Sequence, residues 1–278
     1  MEVKYGIGRG RAMAAALFSG AALLAAVVNL AAAQTSDRDA KPVEVVRQKF
    51  AMGDESRYKL DLKLNVRGAN GGQAVIAKMQ FKQTCSDVKP TGAHTLTDVF
   101  EAAGLKMAST PEAAVAADEM DMLASLPVVT LVTDAAGAAS ISFQGGTDHG
   151  NADLGGILQQ FAASSEAFRP PRPVKVGDKW KLAYANANKL IGAGKIDGDA
   201  ELLGTEAVGT VKTLKIHIKA GDPPTGDPPK PGFEGIVNLD PATGRVVKLT
   251  QKGSGEFAGG SASVELTITL VDSQKVRL

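Results

Sequence analysis

The sequence predicts a mainly β chain of the α+β class: a curved antiparallel sheet, a half-barrel or open barrel, with about two amphipathic helices against one face. Three observations carry this. Apolar residues recur with period two, as in Tyr58, Leu60, Leu62, Leu64 and Val66 against Lys59, Asp61, Lys63 and Asn65, which is the mark of a strand with one buried and one wet face. Short turn signals separate most such runs, favouring antiparallel neighbours. Only two stretches carry helical spacing, and both are amphipathic rather than apolar all round, which suits elements covering one sheet face.

The first 33 residues stand apart. Lys4, Arg9 and Arg11 form a basic start, Ala12 to Val28 is almost wholly apolar, and Ala31-Ala32-Ala33 supplies the small-x-small pattern of a signal-peptidase site. The expectation is a signal peptide over 1–33, a mature chain beginning at Gln34 that forms one β-rich domain over 34–278, and a periplasmic or extracellular destination. No Cys lies near the cleavage site, so the lipid-anchored route is not indicated. No later apolar run approaches the roughly 18 residues needed to span a bilayer, so the mature chain is expected not to be membrane-spanning.

Removing residues 1–33 takes three basic residues and one acidic residue from totals of 31 and 30, leaving 28 against 29. Such a balance argues against a nucleic-acid partner, which calls for a basic face. Cys85 is the single cysteine, so no intramolecular disulfide can form and stability must come from packing. A small buried hydrophobe on a strand is the favoured reading of Cys85 over a reactive thiol.

Along the mature chain, residues 37–42 are polar and read as a loose lead, followed by a short apolar stretch holding Val43, Val45 and Phe50. The strand at 58–66 turns through Gly68-Ala69-Asn70-Gly71-Gly72 into a return strand with Val75, Ala77, Met79 and Phe81. A third strand is placed at 95–107. Thr110-Pro111-Glu112 reads as a helix N-cap, a proline at the first helical position and an acid favourable to the dipole, predicting a helix to about Leu126. Val128 to Thr133 and Ala138 to Phe143 form a hairpin about an Asp-x-x-Gly turn. Leu154, Ile157, Leu158 and Phe161 fall at i, i+3, i+4 and i+7, predicting a second amphipathic helix despite Gly155 and Gly156. Pro170, Pro171 and Pro173 end it, marking a weak internal boundary near 169–174.

Strands then resume over 174–184, 200–203 and 213–219. The near repeat Gly221-Asp222-Pro223-Pro224 and Gly226-Asp227-Pro228-Pro229 reads as an exposed polyproline-like loop. A hairpin over 236–249 turns at Asp240-Pro241-Ala242-Thr243-Gly244, and Val264, Leu266, Ile268 and Leu270 form the closing strand. The total is roughly ten strands and two helices.

Chemistry-bearing motifs are few. His217 lies with Thr213, Lys215 and Lys219 on the wet face of its strand, and His94 starts a strand without an acidic neighbour in sequence. Asp148, His149 and Asp153 share a Gly-rich loop, yet their spacing matches no zinc or calcium loop, and Asp153 is equally explained as a first-turn acid. Gly192-Ala193-Gly194-Lys195 lacks the Gly and Ser/Thr of a phosphate loop. The expectation is therefore no catalytic residues, no metal and no cofactor.

Three stretches resemble recurring pieces of exported bacterial β proteins: the hairpin Val128 to Phe143, the Val-x-Val-Gly-Asp-x-Trp of Val174 to Trp180, and Gly204-Thr205-Glu206-Ala207-Val208-Gly209 followed by Leu239-Asp240-Pro241-Ala242-Thr243-Gly244-Arg245. The last pair is also similar to the Gly-x-Glu-x-x-x-Gly strand and Asp-x-x-Thr-Gly hairpin of the lipoprotein-carrier superfamily, whose half-barrel wraps helices around an apolar cavity. Together they cover under a quarter of the mature chain. The resemblance implies an architecture without a catalytic site. The function expected is that of a non-enzymatic envelope protein holding an apolar ligand, a lipid or acyl chain, with Leu154, Ile157, Leu158 and Phe161 lining its cavity. The alternative is a structural or interaction module whose sheet edge or Pro-rich loop docks an envelope protein.

Overall fold

The computed structural model describes residues 41–68, 71–134, 139–145, 168–186, 194–221, 232–257 and 260–274. All but Lys41 belong to the compact unit Pro42–Leu278. The expected leader, the Asp148–His149–Asp153 loop, the Leu154–Phe161 helix and most of the proline repeat lie outside the described residues.

Twelve strands form one antiparallel sheet: β1 (Glu55–Gly68), β2 (Gly71–Val88), β3 (His94–Ala108), β4 (Met120–Asp121), β5 (Val128–Thr133), β6 (Ala139–Gln144), β7 (Lys179–Asn186), β8 (Gly194–Val208), β9 (Val211–Gly221), β10 (Gly232–Leu239), β11 (Val246–Phe257) and β12 (Gly260–Gln274). The order is β6-β5-β3-β2-β1-β12-β11-β10-β9-β8-β7, with β4 added beside β3. Two meanders thus meet where β1 pairs β12, and β6 and β7 end the sheet without pairing each other. The hairpin read at Gly68–Gly72 is present, with Gly68 opposite Gly71.

Register makes one face continuously apolar. Met79, Leu60, Ile268, Leu249, Val237, Ile216 and Leu202 stand opposite one another across seven adjacent strands. Leu131 and Val129 of β5 and Trp180 and Leu182 of β7 belong to the same buried cluster. The buried side is the inner face of the sheet.

The outer face carries the charges. Lys63, Glu265, Lys252, Glu234, Lys219, Asp199 and Lys181 oppose one another on β1, β12, β11, β10, β9, β8 and β7, alternating in sign at every step. A one-residue slip of any of these strands would turn its charges inward, so the ladder and the apolar face specify the same register.

One expectation is corrected outright. The helix predicted from Pro111 to Leu126 is only α1 (Pro111–Ala116), capped by the Thr110 hydroxyl, which accepts from the Ala113 N–H at 3.2 Å. Ala117 already has extended backbone, Met120 and Asp121 pair with β3, and Leu123–Ser125 form a 3-10 turn. The run Ala-Ala-Asp-Glu-Met-Asp-Met-Leu has good helix formers, but the backbone bond from Met122 N–H to the Ala103 carbonyl, 2.9 Å, ties it to the sheet instead. Among the described residues α1 is thus the one helix of more than a turn, and the second helix expected, over Leu154–Phe161, lies outside them. Its placement differs too. Lys106 Nζ donates to the Val115 carbonyl at 3.3 Å, and Lys106 lies opposite Ile76, which lies opposite Lys63. α1 therefore rests on the outer, charged face, not on the concave side. Thr213 departs as well: it is on the wet face as expected, yet buried, because its hydroxyl donates to the Glu206 carbonyl at 2.8 Å and accepts from Asn238 Nδ2 at 3.1 Å.

Candidate functional site

Across β3, β2, β1 and β12 the inner face is graded from one end to the other, whereas the outermost rung continues on β10 and β9 into Phe233 and Ala220, both buried. At the end where β3 finishes, Met107, Val75, Leu64 and Val264 form a rung across four strands. Met107 is 40% exposed, and Val75, Leu64 and Val264 are half-buried. The next rung, Leu105, Ala77, Leu62 and Leu266, has Ala77 and Leu266 buried and the other two half-buried. Leu60 and Ile268, one rung deeper, are fully buried. Side chains lengthen toward the deep end, where Tyr58 and Phe81 stack at 5.4 Å and Phe81 meets Phe100 at 5.8 Å.

Residues 42–54 cross that deep end. Val43 and Val174 exchange backbone hydrogen bonds of 2.8 and 3.0 Å, and the Val46 N–H donates to the Pro241 carbonyl at 3.2 Å. Phe50 lies against His94 at 4.3 Å. Gly53 and Asp54 each bond the Cys85 backbone, at 2.8 and 2.9 Å. Val45, Phe168 and Val174 join the core there. The short apolar stretch expected around Val43 thus makes a single bridge and serves as a cover. One end of the apolar wall is closed by this segment, and at the other the described residues leave its β3, β2, β1 and β12 part half-exposed.

A polar rung interrupts the deep end. Ser56, Gln83 and Asp98 oppose one another on β1, β2 and β3. Gln83 Nε2 donates to Asp98 Oδ1 at 3.0 Å, while Oδ2 is buried with no hydrogen-bond partner. Burial drives the Asp98 carboxyl up to about 7, against the opposing pull of the Gln83 amide. Burial also raises the Tyr58 phenol, offset by the Arg245 guanidinium and a hydrogen bond with Ser56. Asp98 escaped the sequence reading because β3 is bulged opposite Gln80 and Phe81; the surviving signal was its place between the inward residues Leu96 and Phe100.

Among the described residues the other titratable groups form no nucleophile–base pair. Cys85 is buried, its thiol donates to the Asp87 carbonyl at 3.6 Å, and burial pushes its pKa up, so it is held as the unreactive thiol. His217 Nε2 lies 2.7 Å from Glu234 Oε1 on the outer face, and His94 Nδ1 lies 3.1 Å from the Gly92 carbonyl. Among the described residues no group of three His, Cys, Asp or Glu side chains could hold a metal ion. No helix among them is long and apolar enough to cross a membrane. The structure brings Leu60, Leu62 and Leu64 together as read; the candidate ligand-lining residues Leu154, Ile157, Leu158 and Phe161 lie outside the described residues.

Among the described residues, two grooves open on the outer face. One, of about 690 Å³, runs beneath residues 119–123 and is lined by Lys59, Asp61, Lys78, Glu101, Glu119 and Asp121 among others. A smaller one, of about 310 Å³, lies beside α1 between Ile76, Val115 and Glu265. Both linings mix charged with apolar side chains, Leu123 and Met79 in the larger and Val115 and Ile76 in the smaller.

What these features define is an open, curled antiparallel sheet with an apolar inner face closed at one end. No family model matches the sequence, and no curated protein matches it. Among solved structures, lipovitellin, in a study of lipid–protein interactions, is similar over 83% of this chain at 10% identity and a TM-score of 0.48. The chain spans about a quarter of that protein's length, 26%. The hypothetical lipoprotein YmcC of Escherichia coli is similar over 81% of this chain and 92% of its own, at 12% identity and a TM-score of 0.22. A putative outer membrane lipoprotein-sorting protein domain of Vibrio parahaemolyticus is similar over 90% and 93% respectively, at 8% identity and a TM-score of 0.17.

Proposed function

We propose that this chain is an exported envelope protein that binds or carries an apolar ligand, a lipid or an acyl chain, against the inner face of its sheet. The observation that supports the reading is the graded wall: apolar rungs pass from fully buried at Leu60 and Ile268 to part-open at Leu64 and Met107. A core built only for packing gains most by burying every such side chain, at about 25 cal/mol per Å². A wall left part-open at one end and sealed at the other suits a ligand that enters tail-first. In this reading Leu154, Ile157, Leu158 and Phe161 form the facing side of the ligand space, and no catalytic group or cofactor is required. Export rests on residues 1–33, with Gln34 as the mature terminus, and N-terminal sequencing of secreted protein tests it.

The deciding experiment is binding of a fluorescent fatty-acid probe. Wild-type protein takes up the probe; Leu64→Asp and Leu158→Asp keep the fold, by circular dichroism, and lose uptake, because an ionised group in the lining costs several kcal/mol to desolvate. If wild-type protein takes up no such probe and Leu158→Asp simply unfolds it, the reading fails.

A further inference from the structure

The two edges of the open sheet are built differently. Edge strand β7, Lys-Trp-Lys-Leu-Ala-Tyr-Ala-Asn, places Lys179 and Lys181 on its outer face with side chains 69% and 81% exposed, the usual guard against edge-to-edge pairing. The opposite edge lacks that guard. β6, Ala-Ser-Ile-Ser-Phe-Gln, carries no charge and no proline, and neither does its neighbour β5, Val-Val-Thr-Leu-Val-Thr. The alternating ladder that runs through β7 to β12 and β1 has no counterpart there, and Val132 stands exposed on that outer face. Among the described residues only β5 pairs with β6, so the outward N–H and C=O groups of β6 face away from the sheet.

We propose that β6 is a dimerisation edge, at which a second copy of this chain adds its own β6 antiparallel about a two-fold axis. Residues directly opposite in an antiparallel pair project to the same face. To keep the apolar face of both copies on one side, odd residues must oppose odd ones, and the two longest such overlaps, five residues each, centre on Ile141 or on Ser142; the second sets the two large apolar side chains of the strand against each other and puts Ser142 on the axis. Ile141 then lies opposite the partner's Phe143, and Ser140 opposite the partner's Gln144. Ile141 and Phe143 are each half-buried on the inner face, so their pairing extends the apolar wall from one copy into the next. No charge meets a like charge anywhere along the strand. Pairing at β7 in the like manner would set Lys181 of the two copies diagonally across from each other, and β6 against β7 would make a head-to-tail contact rather than a two-fold pair.

The test is the mass of the purified chain by light scattering, with variants at exposed Ser142. Wild-type protein runs at twice the chain mass. Ser142→Lys and Ser142→Glu, each placing like charges opposite one another on the axis, run at the chain mass with unchanged circular dichroism, and mixing the two restores the dimer. Ser142→Cys cross-links under oxidation while Ser140→Cys does not, with buried Cys85 silent in both. A wild-type chain that stays monomeric at the highest concentration it tolerates overturns the proposal. So does a dimer that survives Ser142→Lys. Neither result bears on uptake of the fatty-acid probe, which a monomer would still perform.

Discussion

Lys252 Nζ lies 2.7 Å from Glu265 Oε1 on the strand beside it, and Lys63 Nζ approaches the same carboxylate from the other side at 3.7 Å. This triplet is the best-formed part of the outer-face ladder. The Lys252 ammonium hydrogen bond holds the Glu265 carboxyl below its ordinary range, with Lys63 adding to the effect, and Lys252 is raised in return. Because all three groups are largely exposed, the ladder contributes more to register than to stability.

Glu265→Gln therefore lowers the melting temperature only slightly, by about 2 °C at low salt, and Glu265→Lys lowers it more by setting three ammonium groups in a row. Both losses shrink in about 1 M salt, where screening extends over only about 3 Å. Melts at two ionic strengths check this. A loss that salt leaves untouched would mean Glu265 acts through packing.

Asp98 predicts a pH dependence of stability. Burial pushes its carboxyl up to about 7 in the folded chain, well above the ordinary carboxylate range, so the folded state holds the proton more tightly than the unfolded state. Stability then falls as pH rises from about 4 to about 7, and the penalty is fully present above that. Asp98→Asn keeps the shape and removes the charge. It is expected to exceed wild type by a few kcal/mol at about pH 8, with the difference closing at about pH 4. Urea melts at the two values measure it, and equal stabilities at the alkaline end would contradict the prediction.

Cys85 is fully buried between Leu96, directly opposite on β3, and the Gly53–Asp54 backbone. Cys85→Ser costs about 1 to 3 kcal/mol by burying a more strongly solvated hydroxyl, read as a lower denaturant midpoint at unchanged slope. Non-reducing gels of wild type should show no covalent dimer; one that appears would place the thiol at the surface.

Gly244 closes the β10–β11 turn with φ +69°, and a Cβ there would collide with the Val46 carbonyl oxygen. Gly244→Ala strains the turn and pushes the 42–54 segment off the closed end. The expected loss is at least about 1 kcal/mol, with faster proteolysis in that segment as the specific sign. Cleavage confined to other loops would separate the turn from the cover.

Most of the sheet was legible without coordinates. Period-two alternation at Tyr58–Val66, Leu214–Ile218 and Val264–Leu270 needs only the alternation of side chains about an extended backbone, and turn residues such as Asp240–Gly244 act through local φ and hydrogen bonding, here the Asp240 carboxylate accepting from Thr243 Oγ1 at 2.6 Å and the Ala242 N–H at 2.9 Å. The inward place of Leu60, Leu62 and Leu64, the burial of Cys85 and the surface role of His217 follow from the same local rule.

Tertiary structure decided what depends on partners distant in sequence. Whether the helix continues through Ala117–Leu126 was settled by β3, whose Ala103 carbonyl captured Met122; no local propensity encodes that competition. Which face α1 covers was settled by Lys106 and Ile76, and the junction of the two meanders by the pairing of Leu60 with Ile268, more than 200 residues apart in the chain. The depth of Asp98 is of the same kind. Its alternation places it inward, but only the packing of the core around it removes the water that would have kept its carboxyl in the ordinary range.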